Sequence, residues 1–144
     1  MVSRTRSAEA MEFSQVVLKV MRLEECVRFY RDLCRCELVG GDPNGPVAYF
    51  ASGAQRFALL DAEVAAALLP GGSGAPVAPR VTFAFRSADV DEDCKRLREA
   101  GVRFTIEPQD FAVWGVRSSL CEDPDGNPVE IFAPLPGSGT AEAK

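Results

Sequence analysis

The chain carries one pattern of element signals twice, and that repeat narrows the fold more than any other feature. Residues 14–20 (SQVVLKV) form a β-rich run leading into 23–33 (LEECVRFYRDL), where Leu23, Val27, Tyr30 and Leu33 recur at helical spacing. Residues 81–86 (VTFAFR) form another such run, leading into 90–100 (VDEDCKRLREA), with Val90, Cys94, Leu97 and Ala100 on one stripe. Acidic residues occupy the first turn of both helices, Glu24 and Glu25 in one, Asp91, Glu92 and Asp93 in the other. There they meet the positive end of the helix dipole. Gly101 is placed to close the second helix. Three further strand signals follow each helix: 37–39, 47–51 and 56–60, then 102–106, 116–121 and 129–132. Asp123-Pro124-Asp125-Gly126-Asn127 forms the last hairpin turn, with Gly126 supplying the positive φ. The prediction is an α+β fold of two βαβββ modules, 12–68 and 81–135. A Gly/Pro-rich connector (69–80) joins them, and small polar tails (1–11 and 136–144) flank them.

Composition removes several functions. A chain of 144 residues, 47% of them apolar, can build one real core. No apolar run is long enough to span a bilayer. A net charge of −5 argues against nucleic acid as a partner, since phosphate binding needs a basic face. The chain has no histidine, so Ser-His-Asp and Cys-His relays and imidazole metal ligands are excluded. Its five cysteines (Cys26, Cys34, Cys36, Cys94 and Cys121) contain no C-x-x-C pair, and the N-terminus lacks the apolar core of a signal peptide. Free thiols in a reducing cytoplasm are expected, with Cys26 and Cys94 as small apolar fillers. Cys34 and Cys36 form a C-x-C pair without a second pair, which points to idle thiols more than to a soft-metal site.

Two stretches carry a family resemblance. Val20-Met21-Arg22-Leu23-Glu24-Glu25-Cys26-Val27-Arg28-Phe29-Tyr30 is similar to the V-x-D-L-x-x-S-x-x-F-Y opening of the vicinal oxygen chelate superfamily. That superfamily holds glyoxalases, extradiol dioxygenases and bleomycin-resistance proteins. The run from Asp89 to Val102, then Trp114-Gly115, then Asp123-Pro124-Asp125-Gly126-Asn127-Pro128-Val129-Glu130-Ile131, resembles its second module. The resemblance implies a curved, cup-shaped mixed sheet completed in a homodimer. It places the metal-ligand positions of enzymatic members on Gln15, Thr82, Glu130 and near Ala58. One carboxylate, one amide and one hydroxyl are too few donors for a divalent cation. The resemblance is therefore closest to the bleomycin-resistance type, with no metal, no other cofactor and no catalytic residue assigned.

Strand alternation assigns the two faces. With Val16, Leu18, Val20, Phe83 and Phe85 on the helices, the cup side carries Gln15, Val17, Lys19, Thr82, Ala84 and Arg86. From the other strands it takes Ala48, Phe50, Ala58, Arg117, Ser119, Glu130 and Phe132. Trp114, the only tryptophan, stands beside Gly115 in a loop with Phe111, where flat rings offer stacking area; capping the core or a dimer seam is the alternative for Trp114. Glu130 has three readings: a residual metal ligand, an acceptor for a cationic ligand, or an internal partner of Lys19, Arg86 or Arg117. The Asp123–Asn127 turn is read as structural and Tyr30 as core.

The expected ligand contacts are thus Gln15, Lys19, Phe50, Thr82, Arg86, Phe111, Trp114, Arg117, Glu130 and Phe132. The expected function is a cytoplasmic, bacterial protein that binds an antibiotic or other toxic natural product and gives resistance by sequestration without modifying it. Bleomycin-, enediyne- or aromatic polyketide-like compounds are the partner class, and neither nucleic acid nor membrane is a partner. The alternatives are a metal-dependent lyase, isomerase or dioxygenase of the same superfamily, a metal-free enzyme with Glu130 as base, and a regulatory subunit.

Overall fold

A computed structural model describes residues 13–68 and 81–137. The expected tail at 1–11, the connector at 69–80 and most of the C-terminal tail lie outside the described residues. The first module runs β1 (Val16–Val20), α1 (Leu23–Arg28), β2 (Glu37–Gly41), β3 (Val47–Ser52), β4 (Gln55–Asp61) and α2 (Ala62–Leu68). The second runs β5 (Phe83–Arg86), α3 (Val90–Glu99), β6 (Phe104–Phe111), β7 (Val116–Glu122) and β8 (Pro128–Pro134). The fold is α+β, as expected, with the strand–helix–three-strand order in each half. Among the described residues no helix is long and apolar enough to cross a membrane.

Each module builds a four-stranded mixed sheet of the same topology. The orders are β1-β4-β3-β2 and β5-β8-β7-β6. The first strand of each module pairs parallel with the last, and the other pairs are antiparallel. The helix is the crossover that a parallel first-to-last pairing requires.

Local chemistry explains the elements. The expected helix over 23–33 is present, but its second half, Phe29–Leu33, is wound as a π turn, in which the Cys34 amide donates to the Phe29 carbonyl at 3.0 Å. Arg35 follows with φ 63°, a conformation most side chains avoid. The short helix α2 was not anticipated. The Asp61 carboxylate starts it by accepting from the Glu63 and Val64 amides at 2.8 and 3.3 Å, and an alanine-rich run continues it. A capping aspartate before Ala-Glu-Val-Ala-Ala-Ala was the signal available.

One core serves both modules. It joins Val20, Cys26, Val27 and Tyr30 of the first with Val90, Cys94, Leu97, Val129 and Ile131 of the second. Tyr30 lies at its centre, with Phe57 and Phe83 rings at 5.2 and 5.9 Å. Its hydroxyl donates to Asp123 Oδ2 at 2.7 Å, so the phenol is satisfied by a buried carboxylate of the other module. The same carboxylate accepts from the Asp125 and Asn127 amides and the Asn127 side chain. Core packing for Tyr30 and a structural turn at Asp123–Asn127 agree with the sequence reading.

Candidate functional site

Each sheet has one face against the helices and one face open, and register decides which side chains share a face. In the first sheet Val16, Leu18 and Val20 face the core, leaving Val17 and Lys19 on the open side, as expected. Here β4 places Phe57 and Leu59 inward, while Ala58 lies on the open side beside Val17.

The expectation fails on β3. Phe50 pairs directly with Phe57, and the two rings stack at 5.1 Å in the core, where Phe50 is fully buried. Ala48 likewise pairs with Leu59 and is buried. Directly opposed residues share a face, so Ala58 and Phe50 cannot both point to the cup. Tyr49, opposite Ala58, holds the open position instead and is half-exposed.

The same one-residue slip occurs on β7. Ser118 pairs with Phe132 and Leu120 with Glu130, so Val116, Ser118 and Leu120 share the open face with Glu130 and Phe132. Ser119 and Arg117 point to the helix side. Ser119 Oγ lies 3.0 Å from Cys94 Sγ of α3. The Arg117 guanidinium is held by Asp91 of α3 at 2.8 Å and by Asp110 of β6 at 2.9 Å. Those carboxylates push the Arg117 pKa further up, and the guanidinium in turn holds Asp91 below the usual carboxylate range. Arg117 is thus a tie between α3, β6 and β7 rather than an open-face cation.

What the structure does gather on the second sheet is a compact polar and aromatic set. Ala84 and Arg86 of β5 are exposed, and they flank Glu130 and Phe132 in register. Ser118 Oγ donates to Glu130 Oε2 at 2.7 Å across β7 and β8. Phe132 and Val116 are buried in a small cluster that Phe111 joins from β6. Trp114 ends a 3-10 turn closed by Gly115 at φ 69°, its ring 5.6 Å from Phe111 and 65% exposed. Gln15 and Thr82 lie just ahead of β1 and β5, while Lys19 belongs to the first sheet. The residues missed were Tyr49, Val116, Ser118 and Leu120. Counting back from the hairpin turns, Ser52 against Gln55 and Glu122 against Pro128, would have found them.

The positions where the family resemblance places metal ligands hold an amide (Gln15), a hydroxyl (Thr82), no donor side chain near Ala58, where Phe57 and Leu59 flank a methyl group, and one carboxylate (Glu130) that already accepts from Ser118. Among the described residues no three His, Cys, Asp or Glu side chains gather to hold a metal ion. This donor set does not fit a divalent cation, which needs several charged or imidazole ligands. All five thiols are free, four of them buried and Cys34 half-buried. Burial pushes Cys36 up to about 11 and Cys121 up to about 12, and it raises Cys26, Cys34 and Cys94 as well.

A concavity between the modules was not foreseen. A groove of about 740 Å³ runs between α1 and the second module, lined by Arg28, Phe29 and Leu33 on one side and by Val102, Arg103 and Asp125 on the other. Neither module forms it alone, so no local sequence pattern announces it.

Residues 12–131 match the family model described as the Glyoxalase/Bleomycin resistance protein/Dioxygenase superfamily. Among solved structures, a glyoxalase/bleomycin resistance protein/dioxygenase from Nocardioides is 26% identical, with TM-score 0.71, covering 96% of this chain and 89% of that one. TnmS3, an antibiotic binding protein from Streptomyces sp. CB03234, is 27% identical with TM-score 0.65, covering 87% and 98%. Lactoylglutathione lyase from Agrobacterium tumefaciens is 25% identical with TM-score 0.67, covering 86% and 94%. No protein of curated function matches the sequence.

Proposed function

The chain belongs to the Glyoxalase/Bleomycin resistance protein/Dioxygenase superfamily, and on that premise we propose that it binds a toxic natural product and confers resistance by holding it unmodified. One observation carries the reading: the open face of the second sheet pairs an aromatic wall with the Glu130 carboxylate. Phe111, packed on the buried Phe132, and the exposed Trp114 offer flat apolar area, and Glu130 with Ser118 offers a fixed acceptor. Such a face suits a large ligand with a planar ring system and a donor or cationic end. The likeness to TnmS3, itself an antibiotic binding protein, supports the class.

The ligand is bleomycin-, enediyne- or aromatic polyketide-like, and a homodimer supplies the second wall of its cleft. Gln15, Lys19, Thr82 and Arg86 extend the contact surface, while Phe50 and Arg117 serve packing. The protein acts in the cytoplasm of a bacterium.

Native mass spectrometry of protein purified without chelators, alone and with a panel of these compounds, tests the proposal. The expected species is a metal-free dimer that takes up ligand at unchanged mass. Trp114→Ala should weaken uptake about tenfold, or roughly 1.4 kcal/mol, with the melting temperature kept. A stoichiometric retained metal, or a ligand whose mass changes on incubation, would make the protein an enzyme instead.

A further inference from the structure

The helices α1 and α3, which follow the first strand of each module, begin differently. For α3 the cap comes from its own sequence: the Asp89 side chain accepts from the Glu92 amide at 3.1 Å, and Ser87 Oγ accepts from the Asp89 amide at 3.0 Å. No such residue starts α1. Its N-cap position is Arg22, which makes no side-chain capping bond. The missing acceptor arrives from the other module. Asp125 Oδ1 accepts from the Met21 and Arg22 amides at 3.1 and 3.0 Å, and Oδ2 accepts from Met21 at 3.0 Å. Arg22 Nη1 completes the contact by donating to the Pro124 carbonyl at 3.1 Å.

We infer that Asp125 is a positioning residue: it anchors the entry of α1 from the second module and so fixes the end of β1 against the start of β8. The geometry is directional. Val20 is the last residue of β1, and Met21 and Arg22 are the two residues that carry the chain into α1. On the other side, Pro128 starts β8 directly after the turn that Asp125 belongs to. The clasp therefore joins the strand bearing Val17 and Lys19 to the strand bearing Glu130 and Phe132. Gly126, at φ 88°, and the Asp123 carboxylate, which gathers the Asp125 and Asn127 amides, hold the turn in the shape that presents Asp125 outward. The equivalent turn of the first module, Gly53-Ala54, is two residues long and carries no acceptor. At the helix starts, then, α1 leans on the other module while α3 is capped from its own. Its bearing on ligand affinity rests on the proposed function; the anchoring itself does not.

Hydrogen–deuterium exchange on the full chain tests the anchoring with no ligand present. In Asp125→Ala, amides in a peptide covering 20–28 should exchange about five- to tenfold faster, the scale of a lost cap or charge-assisted bond. Peptides covering 90–100 should stay within twofold, and the emission of Trp114 in the second module should be unchanged. Asp125→Asn, which keeps an acceptor, should restore most of the protection, and Asp89→Ala should give the mirror result, with α3 alone accelerated. If Asp125→Ala does not fold, the Asn and Ser variants carry the same comparison. Unchanged exchange over 20–28, equal acceleration in both helices, or an Asn variant no better than Ala would each overturn the inference. A failure of ligand uptake with this exchange pattern intact would count against the proposed function alone.

Discussion

The two modules share a topology and differ in what their sheets carry on the face away from the core. On the open face of the first sheet stand Val17, Lys19, Tyr49 and Ala58, with β2 at the edge. On the open face of the second stand Arg86, Ser118, Glu130 and Phe132, with Phe111 and Trp114 at one end. Inward, the contrast reverses: the first module brings the large aromatic rings, Tyr30, Phe50 and Phe57, while the second module's helix brings Val90, Cys94 and Leu97. The first module contributes much of the aromatic core mass, and the second carries the polar and aromatic set on which the proposed function rests.

Breaking the inward side of this contrast should give the largest effect. Phe50→Ala removes a fully buried ring stacked on Phe57 and should cost about 3–5 kcal/mol, read from denaturant unfolding. Its neighbour Tyr49→Ala, on the open side, should stay within about 0.5 kcal/mol. The opposite ranking would put Phe50 back on the open face. Next comes the bond between the modules. Tyr30→Phe keeps the ring but leaves the buried Asp123 carboxylate short of a donor, which should cost about 1–3 kcal/mol. A neutral result would mean that Asn127 and the turn amides suffice for Asp123.

The smallest effect sharpens the comparison through pH. Asp91 is held below the usual carboxylate range by Arg117, a tie from helix to strand, whereas in the first module Asp32 is lowered by its sequence neighbour Arg31. A depressed folded value means its stabilisation is present above the unfolded pKa, near 4, and is lost as pH falls through the folded value. Acid unfolding of the wild type should therefore be steeper below pH 4 than that of Arg117→Met. Both groups lie at the surface, so parallel acid limbs would show that the pair contributes nothing measurable.

Much of the architecture was readable from residues alone, because periodicity is a long-range regularity. Leu23, Val27 and Tyr30 on one stripe, and Val90, Cys94 and Leu97 on another, mark the helices without knowledge of their partners. Face assignment was readable where a strand alternates cleanly. Phe83-Ala84-Phe85-Arg86 has one apolar and one mixed side, and the structure agrees. It was not readable on β7, where Val116-Arg117-Ser118-Ser119-Leu120-Cys121 puts polar and apolar residues on both sides. There only the pairing of Glu122 with Pro128 across the turn sets the face. Contacts such as Asp125 with Met21, separated by more than a hundred residues, have no local signature at all.

The buried thiols have a consequence for how the protein meets oxidants. Thiolates attack peroxides, displacing hydroxide from the O–O bond, and that attack is the first rung toward sulfenic acid and beyond. With Cys36 pushed up to about 11, on the order of one molecule in ten thousand carries that thiolate at neutral pH, and Cys121 is held higher still. Sulfur in this fold therefore fills space, and its low thiolate fraction slows oxidation of the folded chain.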